Sequence, residues 1–191
     1  MSNKNGDGVS RRQFVGSVCP FVLGGLSLPL VPLVTGQQDR PGFWNEFTPE
    51  EREVLGGSTM AHSVPGFIGQ GYGCAEICLA AAVDYLGERS EWVNAAAVFS
   101  GGLGQRDLCG FLTGGMMAVG VAAGKLHEER TAMKDFARPR GQEYWDWWTS
   151  RGPIHCSELR ALYDGSEQFT RMAQRATAKV EQLIAPAVER P

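Results

Sequence analysis

Four of the chain's five cysteines, Cys74, Cys78, Cys109 and Cys156, follow residue 70 and carry its most concentrated chemistry. Cys74 and Cys78 stand four apart in a stretch of helical composition, so both thiols face the same way. A disulfide between them is strained within a regular helix, whereas two thiolates on one face suit a single metal or cluster. Cys109 follows a glycine-rich loop and opens a helix, where the dipole and free amides favour thiolate and lower its pKa. Cys156 has the same setting ahead of Ser157-Glu158-Leu159. Four sulfurs match the ligand count of an iron–sulfur cluster (2Fe–2S or 4Fe–4S), with Gly73, Gly110 and Gly114 shaping the pocket around it. The same cysteines also admit two structural disulfides, or a reversible dithiol centre with Cys109 as the low-pKa thiol and Cys74 or Cys78 resolving. A structural zinc site is disfavoured, since no close Cys-x-x-Cys pair is present. Spacing alone does not choose among them.

These thiols must be positioned by helices. Thr48-Pro49-Glu50-Glu51 reads as a capped helix start, with Thr as N-cap and Glu three residues on, and Gly56-Gly57 reads as its end. Residues 65–73, rich in glycine, read as a loop. Cys74 to Leu86 reads as a strong helix stopped at Gly87, and residues 90–99 as a shorter one, followed by the loop Gly101-Gly102-Leu103-Gly104. From Cys109 to about Ala123 runs an apolar helix. Gly110, Gly114 and Ala118, spaced by four, let a neighbouring backbone approach it closely, and it is too short to span a bilayer. An amphipathic helix over 126–138 is expected to break at Pro139. Tyr144, Trp145, Trp147 and Trp148 follow, either as packing or as a shield for a redox centre. Cys156 opens another helix, and Ser166 to Val188 forms the last, with a break at Pro186. No alternation indicates strands, so the expected fold is all-α, a compact single-domain helical bundle with Gly-rich loops.

The first residues have a different character. Ser10-Arg11-Arg12-Gln13-Phe14-Val15 resembles a twin-arginine export motif, followed by a mildly apolar run from Phe14 to Val34. Pro20, Pro29 and Pro32 argue against a membrane-spanning helix there. Cleavage after Gly36 then divides the chain into a signal (1–36), a linker with the first helix (37–59) and a cysteine-bearing domain (60–191), and Cys19 leaves with the signal. The location implied is periplasmic or otherwise extracytoplasmic. The twin-arginine translocase, which moves folded and often cofactor-loaded proteins, is then the first partner.

Hydrophobic residues make up 43% of the chain, so disorder is not expected. Loss of Lys4, Arg11, Arg12 and Asp7 with the signal takes the formal net charge from −3 to −5. No basic patch stands out, which argues against a nucleic-acid partner. His155 adjoins Cys156 as a ligand, a tuning group or a plain surface residue, and His62 and His127 read as surface. Glu76 reads as pointing away from Cys74. No Ser–His–Asp set, phosphate loop or catalytic carboxylate pair supports a hydrolase.

Taken in order, Cys74-Ala75-Glu76, Phe99-Ser100-Gly101-Gly102-Leu103-Gly104, Cys109-Gly110-Phe111-Leu112-Thr113-Gly114 and Cys156-Ser157-Glu158-Leu159 resemble the C_GCAxxG_C_C family of redox-active proteins over roughly residues 60–180. A similar module occurs in split-Soret cytochromes, where an iron–sulfur cluster accompanies the haems. The resemblance implies an electron-transfer protein with a donor or acceptor protein as partner; the alternative is a non-enzymatic subunit of a larger exported oxidoreductase, its cysteines purely structural. Homo-oligomerisation stays open. Two departures stand out: Phe111 occupies a position usually held by Ala, and residues 160–191 lack the family's last cysteine. Cys78 is extra. Either it completes a four-thiolate site, or the site has three family cysteines. Without a Cys-x-x-Cys-His segment, covalent c-type haem is not expected.

Overall fold

The computed structural model describes residues 47–162 and 165–188. The twin-arginine segment, the cleavage point after Gly36 and Cys19 lie outside the described residues. Seven α-helices and shorter turns make up the described fold: α1 (Pro49–Gly57), α2 (Thr59–Gly69), α3 (Cys74–Leu86), a 3₁₀ helix (Ser90–Phe99), α4 (Gly110–Leu126), α5 (Arg130–Thr149), α6 (Cys156–Leu162) and α7 (Ser166–Ile184). The fold is all-α, and among the described residues the one strand-like feature is an isolated antiparallel bridge between Leu108 and His155. No helix there is long and apolar enough to cross a membrane.

α3 is the central element. Ala75, Leu86 and all seven residues from Ile77 to Val83 are buried, the pattern of a helix enclosed on all sides rather than resting on a core with one face. Its most extensive partner is α4, whose small residues line the seam. A Cβ on Gly114 would collide with the carbonyl oxygen of Ala75 and stand 2.8 Å from its Cα, so only glycine allows the two backbones this close. α2 and α7 pack on the other sides of α3, and α5 packs on α4.

The helix ends are satisfied in ways that tie the bundle together. Thr48 and Glu51 form a reciprocal capping box on α1. Gly87, at φ +65°, ends α3 in a left-handed cap. Glu181 of α7 accepts from Ser58 Oγ at 2.6 Å and from the Met60 amide at 2.8 Å, which caps α2 from a distant helix. Arg175, buried on α7, makes a two-pronged pair with Glu51 of α1, each contact 3.1 Å, the planar geometry that suits arginine to carboxylate.

The structure corrects two expectations about breaks. Residues 65–69 belong to α2, because the exposed Pro65 and Gly66 lie on its outer side and the Ser58 cap with the buried Met60, Ala61 and Val64 hold the helix together. Pro139 does not end α5, which runs through it to Thr149. It too is exposed, where a missing backbone bond is tolerated with a bend. The next residue, Arg140, bridges outward by donating to the carbonyls of Phe136 and Leu183, both at 3.1 Å.

Candidate functional site

Each cysteine is placed by the element that carries it. Cys74 is the first residue of α3, and Cys78, one turn on, is completely buried. Cys109 is the N-cap of α4 and Cys156 the first residue of α6, both buried. The chain segments before these two helices run antiparallel. The Cys109 amide donates to the Ile154 carbonyl at 2.8 Å, and the Cys156 amide donates to the Asp107 carbonyl at 2.6 Å. That two-bond clasp fixes Cys109 beside Cys156 across a gap of 46 residues in sequence.

The four thiols are electrostatic neighbours and all are free. Cys109 is pushed up to about 12, first by burial and then by Cys74, with a smaller push from Cys156. Backbone amides of Leu112 and Phe111 pull the other way. This corrects the expectation of a low-pKa Cys109: the helix N-terminus does favour thiolate, but loss of water and the neighbouring sulfur charge outweigh it. Cys78 is raised well above the usual thiol range by burial, then by Cys109 and Cys74.

Cys74 is the exception, being partly exposed and accepting from the Gly101 amide at 3.4 Å. Its surroundings are built from glycine. A Cβ on Gly110 would collide with Cys74 Sγ and stand 3.0 Å from the Ala75 nitrogen, and one on Gly73 would collide with the Ser100 hydroxyl. A Cβ on Gly102 would stand 2.7 Å from Cys156 Cβ and 2.6 Å from the Asp107 nitrogen.

The wall opposite α3 is a left-handed turn. Gly101, Gly102, Leu103 and Gly104 have φ of 68°, 64°, 59° and 69°, and Arg106 has 60°. For Leu103 and Arg106 this costs roughly 1–2 kcal/mol each. Strain of this kind persists only where the surroundings impose it. Here the turn aims the Gly101 amide at Cys74.

Sequence reasoning missed several of the groups around the thiols. Glu76 does not point away: its Oε2 accepts from the Gly73 amide at 2.8 Å and from Ser100 Oγ at 3.4 Å. Ser100 Oγ in turn accepts from the Ala75 amide at 3.3 Å, serving as the cap hydroxyl that Gly73 lacks. Glutamate three residues after Gly73 was a readable half of a capping box, but nothing local announced Ser100, 25 residues away. Tyr144 was legible only as an aromatic. Its hydroxyl donates to the Phe111 carbonyl at 3.0 Å, and burial, then Cys78 and Cys109, push it well above the usual phenol range. His155 is exposed, with Nδ1 2.8 Å from Asp107 Oδ1, and it sits on the outside of the clasp.

A lone metal ion needs its thiolates about 2.3 Å from itself. Among the described residues no three His, Cys, Asp or Glu side chains are gathered that tightly. Four sulfurs equal the ligand count of an iron–sulfur cluster, whose ligand sulfurs stand farther apart than those around one ion, and backbone amides approach two of them, Gly101 at Cys74 and Phe111 with Leu112 at Cys109.

Comparison with known proteins gives one match. The family model described as "Putative redox-active protein (C_GCAxxG_C_C)" covers residues 72–189, from just before Cys74 to the end of the last helix and beyond. No curated protein and no solved structure matches.

Proposed function

Because the chain belongs to the C_GCAxxG_C_C family of redox-active proteins, we propose that its four-cysteine centre holds an iron–sulfur cluster and serves as an electron carrier. The observation that carries the reading is the gathering of four free cysteines, three of them buried, with Cys109 clasped beside Cys156 and Cys74 Sγ pressed on Gly110. Burial, first, and then neighbouring sulfurs push both buried thiols up: Cys74 acts on Cys109, and Cys109 with Cys74 on Cys78. Protons then make them inert as nucleophiles, whereas a cationic iron core offsets the repulsion and leaves them as ligands. A bound cluster supplies reversible one-electron chemistry. Cys74, Cys78, Cys109 and Cys156 hold it, with Cys78 in place of the family's tail cysteine. The amides of Gly101, Phe111 and Leu112 donate to the sulfurs of Cys74 and Cys109, which favours a more negative charge on the centre. Export by the twin-arginine route belongs to the same reading, supported by Ser10-Arg11-Arg12 and by the need to insert iron before leaving a reducing compartment. Cell fractionation checks the location.

Protein purified or reconstituted without oxygen is expected to be brown and to contain iron and acid-labile sulfide. A colourless, iron-free protein after reconstitution overturns the reading. A metal-free thiol–disulfide centre is the second reading, favoured by one observation: Cys74 alone is partly exposed and has an amide aimed at its sulfur. The nucleophile would then be Cys74, with Cys109 resolving. Mass spectrometry on alkylated protein would find a reducible Cys74–Cys109 pair.

A further inference from the structure

The segment between α3 and the left-handed turn leaves apolar surface uncovered. Residues 90–99 run as a 3₁₀ helix, in which side chains three apart eclipse one another. Burial follows that period. Val93 and Ala96 are buried and Phe99 is half-buried, so this edge faces the core. Trp92, Ala95 and Val98 form a second edge, and all three are exposed, Trp92 at 47% and Val98 at 72%. The third edge, Glu91, Asn94 and Ala97, is also exposed and mostly polar. Leu103, exposed as well, stands on the turn that packs against this helix. Single exposed apolar residues are ordinary on a protein surface. Here three of the six large ones among the described residues, Trp92, Val98 and Leu103, fall within one short stretch, two of them on one helix edge. Such clustering marks an interaction surface.

What fits this edge is a copy of itself. A two-fold interface presents the same patch from both sides, so the patch must complement itself. The edge is about 12 Å long, with its smallest residue, Ala95, at the midpoint and larger ones at either end. Laid antiparallel about an axis at Ala95, the two alanines let the backbones approach, and Trp92 of one copy covers Val98 of the other. Charge runs the same way. At the Trp92 end stands the exposed Glu91, which Arg89 holds through Oε1 alone, at 3.0 Å and 2.9 Å. Its Oε2 is left to receive a cation. Past Val98 the chain leads to Arg106, which is exposed and in no ion pair among the described residues. Antiparallel pairing turns the Glu91 end of one copy towards the Arg106 end of the other, twice over. No like charges meet along the edge itself, which carries none.

We propose that the Trp92–Ala95–Val98 edge is the interface of a symmetric homodimer, with Glu91 and Arg106 paired across its rim. The patch is small, so the dimer is weak and exchanges readily, with a Kd of roughly 10–100 μM. The proposal is independent of whether the cysteines hold a cluster or form a disulfide. Its place in the chain is nonetheless beside them. Val98 is three residues before Gly101, whose amide donates to Cys74 Sγ.

Sedimentation velocity on the full chain tests this, with a reductant present to exclude disulfide-linked species. Over protein concentrations from about 2 to 300 μM, which bracket that Kd, wild type is expected to pass from monomer to dimer. Ala95→Glu sets two carboxylates against each other at the axis and is expected to raise the Kd at least tenfold. Val98→Asp is expected to do the same. Both positions are exposed, so the Tm and far-UV spectrum stay at wild-type values, which separates a lost interface from a lost fold. Glu91→Arg and Arg106→Glu are each expected to weaken the dimer several-fold, and the double variant to recover most of the loss, because the pair re-forms with its charges exchanged. A wild type that stays monomeric throughout the range overturns the proposal and leaves the edge to a different protein. A dimer unaffected by both Ala95→Glu and Val98→Asp, or a double variant no tighter than the singles, overturns it as well.

Discussion

The two walls of the cysteine centre achieve closeness by opposite means. Along the α3–α4 seam the backbone is regular helix, and approach comes from missing side chains at Gly110 and Gly114. Across from it, residues 99–109 and 153–156 are irregular, and approach comes from backbone forced into the left-handed region and clasped by two amide bonds. Cys78 belongs to the first wall and Cys156 to the second, while Cys74 and Cys109 stand where they meet. The seam tolerates no added volume. The loop wall holds stored strain, and its contacts are more exposed.

The comparison breaks most visibly at the seam. Gly114→Ala places a methyl against Ala75 backbone, which no rotamer change relieves. A loss of about 3 kcal/mol is expected, read as a fall in Tm of roughly 9 °C. A Tm within 2 °C (about 0.7 kcal/mol) would mean that the backbones are not in contact.

Burial on the seam side also predicts a pH dependence for the iron-free, reduced chain. The Cys109 thiol titrates near 12 when folded, against 9.0 in the absence of the fold. Between those values the unfolded chain has released the proton and the folded chain has not. Stability therefore falls as pH rises through this window, by about 1.4 kcal/mol per unit from Cys109 alone. Urea midpoints measured at pH 9, 10 and 11 check this, and the slope should flatten in Cys109→Ala.

The loop wall is expected to respond in the other direction. Leu103→Gly removes a left-handed strain and should stabilise by roughly 0.5–1 kcal/mol after the greater freedom of the unfolded chain is subtracted. A destabilised variant would show that the Leu103 side chain, 42% exposed, makes contacts that matter. Smallest of all is Asp107→Asn. The Asp107–His155 pair is exposed on both sides, so its loss should cost no more than about 0.5 kcal/mol while the backbone clasp behind it stays closed. Thermal unfolding of the variant measures this.

What was legible in the sequence followed the same division. The seam could be read because its signals are local: glycines four apart, a thiol pair one turn apart, and Gly87 where the helix stops. Pro139 and the glycines after Pro65 misled because exposed helix faces absorb residues that would break a buried one. The loop wall could be named as a loop but not given a shape. Its geometry depends on partners 25 and 47 residues away, Ser100 with Ala75 and Cys109 with Cys156. The pKa of Cys109 was misjudged for a related reason: the helix start is visible in sequence, while the company of other buried sulfurs is not.

The clasp between residues 107–109 and 154–156 also sets a timetable. A chain made from its N-terminus delivers Cys74, Cys78 and Cys109 well before Cys156. Until Ile154 arrives, the Cys109 amide has no carbonyl to meet, and until α7 follows, the far side of α3 is bare. The fourth sulfur therefore joins 47 residues after the third. Until then a nascent chain offers at most three of the four thiols, so the complete centre forms only once α6 has been made.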